Sequence, residues 1–214
     1  FENIKKTGGS LIIGGDFFDF WVESIGGPPT YYDDILNELE KLNEKNIEIH
    51  YVLGNHDYWD YGYLTKKIGV QIHKGDFLCS IKNKNILITH GDGLLKHDYL
   101  YRFMRTILRN KLIMFFIRLI PKNLWAIMAR RISNTKNKFG KEPRLDQKYK
   151  NELKEFAINQ MNLQNVDAVL MGHYHQTGIE KINDKYFIHL GDWINNYTVT
   201  KYDENETWKQ KNLL

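Results

Sequence analysis

The chain has 214 residues, is 42% hydrophobic and carries a net charge of +4, which suits one large domain or a core with a small insertion. Its single cysteine, Cys79, excludes an internal disulfide framework and fits a reducing compartment such as the cytoplasm. No apolar run reaches the roughly 18 residues that a membrane-spanning helix needs, and the longest, LIMFFIRLI at 112–120, is interrupted by Arg118.

The first residues, FENIKKTGGS, predict the end of a helix that stops at a Gly-Gly pair, followed by a strand over Leu11–Ile13. An α/β chain that opens on the tail of a helix normally has a strand before it. We therefore expect a further strand upstream of Phe1.

Helix and strand patterns then alternate along the chain. A double-proline break precedes a predicted helix with Ile35, Leu39 and Leu42 at helical spacing. The segment IEIHYVLG, residues 47–54, is β-branched and apolar and predicts a buried strand. A short helix over YLTKKIG and a strand beginning at VQIHKG follow.

The second half of the chain is interrupted by a helical, basic segment. Before it, FLCSIKNKNILIT predicts a β-hairpin with strands Phe77–Ile81 and Ile86–Thr89. From 98 to 132 the sequence is helical, apolar and basic, with no acidic residue after Asp98. A polar stretch leads into the helix NELKEFAINQM, and the remainder is strand-rich, with a final short strand near 206–209.

Four apolar strands are each followed directly by residues that can bind metals. Active sites of open α/β sheets lie at the carboxyl ends of strands, and Asp, Asn and His offer the oxygen and nitrogen ligands that Mn, Fe and Zn accept. The neighbouring glycines allow tight turns. The motifs are Gly15-Asp16, Gly54-Asn55-His56-Asp57, His90-Gly91-Asp92 and Gly172-His173-Tyr174-His175.

Each motif alone also has an ordinary structural interpretation. An Asp after Gly-Gly, such as Asp16, is often a turn residue or a helix cap. Two His one residue apart, such as His173 and His175, are often coincidental. Coincidence becomes a poor explanation when the pattern recurs after four strands, so the set indicates a metal centre.

The ordered set GDFFD, GNHD, HGD and GHYH resembles the calcineurin-like metallophosphoesterases over essentially the whole chain. The resemblance implies an α/β fold, a metallophosphoesterase-type β-sandwich flanked by helices, with two divalent metal ions. We expect a core made of residues 1–97 and 150–214, with a helical cap insertion at 98–149, hereafter the cap.

The resemblance also implies which residues hold the metals. Asp16 would bridge the two ions, Asn55, His90 and His173 would complete one site, and His175 would serve the other. Oxygen and nitrogen ligands without thiolate suit Mn²⁺ best in a reducing cytoplasm, with Fe or Zn as alternatives.

The same resemblance implies the catalytic roles. His56 would act on the scissile phosphate and Asp57 would orient it, while Asp19 and Asp92 would orient the ligands from behind. A metal pair neutralises phosphate charge and lowers the pKa of a bound water, which suits phosphoester or pyrophosphate hydrolysis.

One family motif has no counterpart in this sequence. The family carries Asp-x-His on a strand upstream of GDxxD, and no such pair precedes Asp16. One metal then retains only Asp16 and His175, whereas the other keeps its four ligands. We expect the chain as given to bind one metal well and the other poorly.

The cap decides the substrate class. A packed helix pair with a solvated face is the ordinary interpretation of its pattern. Nucleic-acid patches need fewer bulky aliphatics, so the apolar content favours an anionic membrane surface and a lipid substrate, with no nucleic acid expected. The basic residues between its apolar ones are Arg102, Arg105, Arg109, Lys111, Arg118, Lys122, Arg130 and Arg131.

A narrower resemblance points the same way. The segment HGDGLLKHDYLYRFMRTILR is similar to the UDP-2,3-diacylglucosamine diphosphatases of lipid A biosynthesis, which insert a helical cap after HGD to hold acyl chains. Asp98, Tyr101 and Arg105 match the D-x-x-Y-x-x-x-R pattern that opens that cap. Ser133 and Lys136 roughly match its polar substrate-binding segment.

This resemblance implies hydrolysis of UDP-2,3-diacylglucosamine to UMP and 2,3-diacylglucosamine 1-phosphate by a cytoplasmic protein, peripheral on the inner face of the cell membrane. Many members carry Arg where this chain has His56, and GNHD is the general phosphoesterase form. Another calcineurin-like phosphodiesterase or phosphatase activity is therefore an alternative. A catalytically incomplete scaffold is a second, although a dead site has no need for so many placed ligands.

Overall fold

The computed structural model describes residues 1–125, 127 and 146–213. It is a mixed α/β protein, as the sequence predicts. In chain order the elements are α1 (Glu2–Thr7), β1 (Ser10–Ile13), a 3₁₀ turn (Thr30–Tyr32), α2 (Asp33–Glu44), β2 (Glu48–Val52), a π-helical turn (Leu64–Ile68), β3 (Gln71–His73), β4 (Phe77–Ile81), β5 (Lys84–Thr89), α3 (Tyr99–Leu108), α4 (Lys111–Leu119), α5 (Gln147–Leu163), β6 (Ala168–Met171), β7 (Thr177–Ile182), β8 (Lys185–Leu190), β9 (Thr198–Tyr202) and β10 (Trp208–Asn212).

The chain forms two compact units. The first comprises residues 1–74 and 101–143, and the second comprises residues 75–100 and 144–214. Each has its own sheet and its own buried hydrophobic cluster. Within the part of the chain that the structure describes, none of the helices is long and apolar enough to cross a membrane.

The first unit is built on a parallel sheet in the order β1–β2–β3. In its register Ile12 lies opposite His50. Parallel neighbours need a crossover connection, and α2 lies in the connection from β1 to β2. The helix buries Leu39 and Leu42 in a cluster that also contains Tyr51 of β2. The helix covers one face of the central strand, so Ile49 and Tyr51 are buried while the alternating residues Glu48 and His50 are more exposed.

The cap helices pack on the segments that follow two of the motifs. Met114 of α4 and Trp125 are buried in one cluster with Val22 and Trp59. Val22 follows the GDFFD motif and Trp59 follows GNHD. The buried side chains of the cap therefore pack against the segments that directly follow two of the candidate active-site loops.

The second unit contains a five-stranded sheet in the order β4–β5–β6–β8–β7. The three central strands are parallel, while β4 and β7 pair antiparallel with their neighbours as the outer arms of hairpins. The helix α5 buries Leu153, Ala157 and Met161, which are four residues apart on one face, against Val169 and Phe187. The strands β9 and β10 form a separate antiparallel pair.

Several predicted boundaries differ from the structure, and the final strand, predicted near 206–209, runs over Trp208–Asn212. The hairpin turn is tighter than predicted, because Lys82 and Asn83 both have positive φ (48° and 64°), as two-residue turns require. Strand β5 therefore begins at Lys84 rather than at Ile86. The last helix begins at Gln147, ahead of the predicted start, because the polar residues before it continue the helix.

Candidate active site

The four motifs lie at the carboxyl ends of β1, β2, β5 and β6. The strands β1 and β2 are parallel neighbours in the first unit, and β5 and β6 are parallel neighbours in the second. Carboxyl ends of adjacent parallel strands meet at one edge of a sheet. The structure thus brings the motifs together in two pairs, one pair in each unit.

Asp16 joins the two loops of the first unit. Its Oδ1 accepts a hydrogen bond from the amide of His56 at 2.8 Å, and its own backbone has φ of 51°, an uncommon value for a residue other than glycine. Gly54 makes this approach feasible, because a Cβ at that position would lie 2.1 Å from Asp16 Oδ1 and 2.6 Å from Asp16 N. A glycine is therefore required before Asn55.

Asp57 ties the same loops together from inside. It is fully buried, and its carboxylate accepts hydrogen bonds from Gly54 N at 2.6 Å and Phe17 N at 2.9 Å. The Tyr51 hydroxyl donates a further, short hydrogen bond to it. Burial, reinforced by the neighbouring Asp57 charge, raises the pKa of Tyr51 well above its usual value. Tyr51 thus stays protonated as a donor.

The imidazole of His56 is oriented by main chain. Its Nδ1 lies 2.6 Å from the backbone carbonyl oxygen of Asp19. A carbonyl can only accept, so Nδ1 carries a proton in this contact. The backbone carbonyl of His56 accepts a hydrogen bond from Trp21 N at 2.8 Å. The Asp19 side chain is exposed, so its contact with His56 comes from the backbone.

The second unit contributes imidazoles at the other pair of strand ends. His90 is buried, and its ring meets that of His173 edge to face with centroids 5.0 Å apart. His173 and His175 both have positive φ, 58° and 51°. Strained backbone of this kind concentrates at functional sites. Asp92, which follows His90 by two residues, is also buried.

Asp192 and Asn196 support His175 and are not among the residues predicted from the sequence. Burial would raise the pKa of Asp192, but hydrogen bonds from Asn195, Asn196 and Ile194 hold it below its usual value. Asn196 Nδ2 donates to Asp192 and to the His175 carbonyl, the latter at 3.3 Å. The signal for this loop is the Gly-Asp pair after β8, which repeats the strand-end pattern of the other motifs.

Of the predicted cap residues, Tyr101 and Arg105 lie in α3 and Asp98 lies just before it. Arg105 and Tyr101 are half-buried, with the guanidinium 5.9 Å from the ring centroid. Asp98 is half-buried, with Oδ1 3.4 Å from His97 Nε2. Ser133 and Lys136 lie outside the described residues.

The donor set of these loops suits a divalent metal. Asp16 and Asn55 offer oxygen ligands in the first unit, and His90, His173 and His175 offer nitrogen ligands in the second. Oxygen and nitrogen donors are each accepted by borderline metals such as Mn²⁺, Fe²⁺ and Zn²⁺. Asp16 in the first unit and the two GHYH histidines in the second each have positive φ, a backbone strain that concentrates at functional sites.

The sequence matches a known family and is similar to named hydrolases. Residues 1–177 match the model of the calcineurin-like phosphoesterase family. A UDP-2,3-diacylglucosamine hydrolase of Porphyromonas gingivalis is 28% identical, over 92% of this chain and 82% of that protein. The hydrolase of the same name from Vibrio cholerae is 25% identical, over 95% and 84%. Among solved structures, an archaeal phosphodiesterase aligns with a TM-score of 0.46 and 15% identity, over 98% of this chain and 87% of that one.

Proposed function

Because this chain belongs to the calcineurin-like phosphoesterase family and is a metal-dependent hydrolase, we propose that its substrate is UDP-2,3-diacylglucosamine. One water is consumed and one P–O bond of the pyrophosphate bridge breaks, giving UMP and 2,3-diacylglucosamine 1-phosphate. The observation that carries this proposal is the alignment with hydrolases of that name over more than nine-tenths of the chain, which includes most of the cap.

Two divalent metals, with Mn²⁺ as the preferred ion, complete the proposed site. Asp16 would be shared between them, with Asn55, His90 and His173 on one ion and His175 on the other. When bound, such ions neutralise phosphate charge and acidify water. The donor chemistry and the positive φ of Asp16, His173 and His175 support this assignment. Asp92 is proposed to orient the ligand His90.

His56 is the proposed acid that serves the leaving phosphate oxygen. The Asp19 carbonyl holds the Nδ1 proton, so a second proton at Nε2 makes the ring a cation beside the phosphates. That proton can pass to the departing oxygen, or the cation can offset its charge. Asp57 acts on this step by fixing the loop that carries His56.

The outer face of the cap is the proposed lipid-contacting surface. Phe103 and Met104 of α3, and Phe115 and Phe116 of α4, are at least half exposed, with Phe103 at 68%. Arg102 and Arg105 of α3, and Arg109 just beyond it, are instead half-buried. An apolar face toward solvent and a basic face toward the protein is the reverse of an ordinary surface helix. We propose that it contacts acyl chains and the membrane's inner surface.

Kinetics on lipid and soluble substrates test the cap's role. Phe115→Ser should raise KM for UDP-2,3-diacylglucosamine and spare bis-p-nitrophenyl phosphate, because each apolar methylene removed from contact costs about 0.8 kcal/mol. Equal losses on both substrates would contradict the proposal. Leu163→Ser, at a still more exposed apolar site at the end of α5, is the control and should change neither KM.

Vesicle sedimentation tests the membrane contact separately. Lys111→Glu with Lys122→Glu reverses two exposed charges of the cap, and should weaken binding to anionic vesicles more at low salt than at about 0.15 M, where charges are screened beyond roughly 8 Å. The same double reversal at Lys41 and Lys45, exposed residues at the end of α2, is the control. Unchanged binding after the cap reversal would remove the membrane claim.

A second candidate is a general phosphodiesterase, favoured by the His at position 56, since GNHD is the general form of this motif in the family. It predicts that activity on bis-p-nitrophenyl phosphate exceeds activity on UDP-2,3-diacylglucosamine at equal concentration. The lipid assignment predicts the reverse order.

A further inference from the structure

Arg109 of the cap contacts both ends of the GNHD loop. It follows α3, and its amide donates to the Arg105 carbonyl at 2.9 Å. Its guanidinium lies over the ring of Tyr58, 4.2 Å from the centroid. Its Nη2 also lies within 3.4 Å of the Gly54 carbonyl oxygen. Gly54 precedes Asn55, and Tyr58 follows Asp57, so a single side chain spans the loop.

The loop is therefore held from two sides. From inside, Asp57 accepts the Gly54 amide at 2.6 Å. From outside, Arg109 meets the carbonyl of the same residue. The peptide groups on either side of the Gly54 α-carbon are both engaged, which fixes the direction in which the chain enters Asn55 and His56.

Arginine suits this position for a physical reason. A planar guanidinium stacks on an aromatic ring and, with N–H groups in its own plane, donates to an acceptor at the ring's edge. A lysine ammonium can approach a ring or a carbonyl but has no plane with which to do both. The contact is also shielded, since Arg109 is half-buried, and Trp59 Nε1 donates to the Leu108 carbonyl at 3.4 Å beside it.

We infer that Arg109 is a positioning residue that the cap supplies to the metal-binding loop. It holds Asn55 and His56 in the geometry needed for metal and phosphate, so that the catalytic loop depends on a docked cap. The inference rests on the proposed function in one respect, the assignment of Asn55 as a ligand. The ordering of residues 54–58 by Arg109 stands independently of the substrate.

Hydrogen exchange of the metal-free protein tests the ordering directly. Arg109→Met should raise amide exchange in the peptide covering residues 54–58 by about tenfold, because a local opening is made easier. Arg109→Lys should give an intermediate rise. The matched control is Arg118→Met, which removes an arginine that stacks on Tyr61 at 4.9 Å, three residues beyond the loop. That control should leave exchange in 54–58 within about twofold of wild type.

Mn²⁺ titration by calorimetry tests the consequence. Arg109→Met should weaken the Mn²⁺ Kd by about tenfold, the scale of effect for groups that orient ligands, whereas Arg118→Met should not. Should Arg109→Met fail to fold, Tyr58→Leu removes the stacking partner and should reproduce both changes in weaker form. Equal effects of Arg109→Met and Arg118→Met, or no change in exchange or Kd, would overturn the inference.

The two proposals can fail separately. A wild-type protein that leaves UDP-2,3-diacylglucosamine intact, yet shows the Arg109-specific rise in exchange and loss of Mn²⁺ affinity, would contradict the substrate and retain Arg109. Activity on the lipid with no Arg109-specific change would do the opposite.

Discussion

The two pairs of motif loops carry similar residues but are held in place by different means. In the first unit, the loops after β1 and β2 are tied by a buried carboxylate, with Asp57 accepting hydrogen bonds from Phe17 and Gly54. In the second unit, the GHYH loop after β6 places His173 and His175 in strained backbone. Asp16 of the first pair is strained as well, with φ of 51°, but there the buried Asp57 network stabilises the loops, whereas the second pair carries strain at two histidines.

Because of this difference, we expect mutations at similar residues of the two pairs to change stability in opposite directions. Removing a residue of the first pair should cost stability as well as activity. Removing a strained residue of the second pair should cost activity while relieving the fold. Each prediction below tests one side of this contrast.

Asp57→Ala should give the largest loss of stability. It removes the buried acceptor of the Gly54 amide and of the Tyr51 hydroxyl, and the closer of two acceptors of the Phe17 amide. This should lower the free energy of unfolding by about 3 kcal/mol or more. Urea denaturation of the metal-free protein measures this. Asp19→Ala, which removes an exposed carboxylate, is the control and should cost less than about 0.5 kcal/mol. Similar losses in both variants would contradict the network.

Gly54→Ala should follow in size. The added Cβ overlaps Asp16, which should destabilise the protein by about 1–3 kcal/mol and reduce metal affinity about 100-fold. Gly75→Ala is the matched control, because a Cβ there meets no atom within 4 Å. Calorimetric Mn²⁺ titration of both variants measures the difference in metal affinity. A Gly54→Ala protein with wild-type affinity would show that the close approach to Asp16 is dispensable.

His173→Gly should move stability the other way. Glycine adopts positive φ without the cost that a Cβ imposes, so the metal-free Gly variant should be about 1 kcal/mol more stable than His173→Ala. Both should lose hydrolytic activity, since each removes a proposed ligand. Thermal or urea unfolding of the pair measures the difference. An Ala variant as stable as the Gly variant would mean that the backbone strain at this position is absent in solution.

Asn196→Ala should have the smallest effect. Its side-chain amide donates a hydrogen bond to the His175 carbonyl at 3.3 Å. The substitution removes this hydrogen bond but leaves the His175 imidazole itself present. Mn²⁺ affinity should therefore fall by no more than about tenfold. Asn195→Ala, which alters an exposed neighbour that engages Asp192 through its backbone amide, should leave affinity unchanged. A larger loss for Asn195→Ala would contradict the assignment of support to the Asn196 side chain.

The positions of the four motif loops at strand ends could be predicted from the sequence, whereas the contacts that hold them could not. Apolar runs ending in Gly and a ligand residue mark the strand ends, because strand pattern and turn chemistry are local. The support for His56 comes from the carbonyl of Asp19, which every residue type provides and no sequence pattern reveals. Tyr51 resembles any core residue of a strand. Arg109 is one of several basic residues of the cap until its contacts with Gly54 and Tyr58 are seen.

The central claim is tested most directly by identifying the products formed from UDP-2,3-diacylglucosamine in mixed micelles with Mn²⁺. Phosphorus-31 NMR and chromatography should show UMP and 2,3-diacylglucosamine 1-phosphate in equal amounts. Both should be absent with a chelator and in His173→Ala, and Mn²⁺ added back should restore them only in the wild-type protein. An intact lipid substrate, under conditions in which the same preparation cleaves bis-p-nitrophenyl phosphate, would contradict the account and leave a general phosphodiesterase.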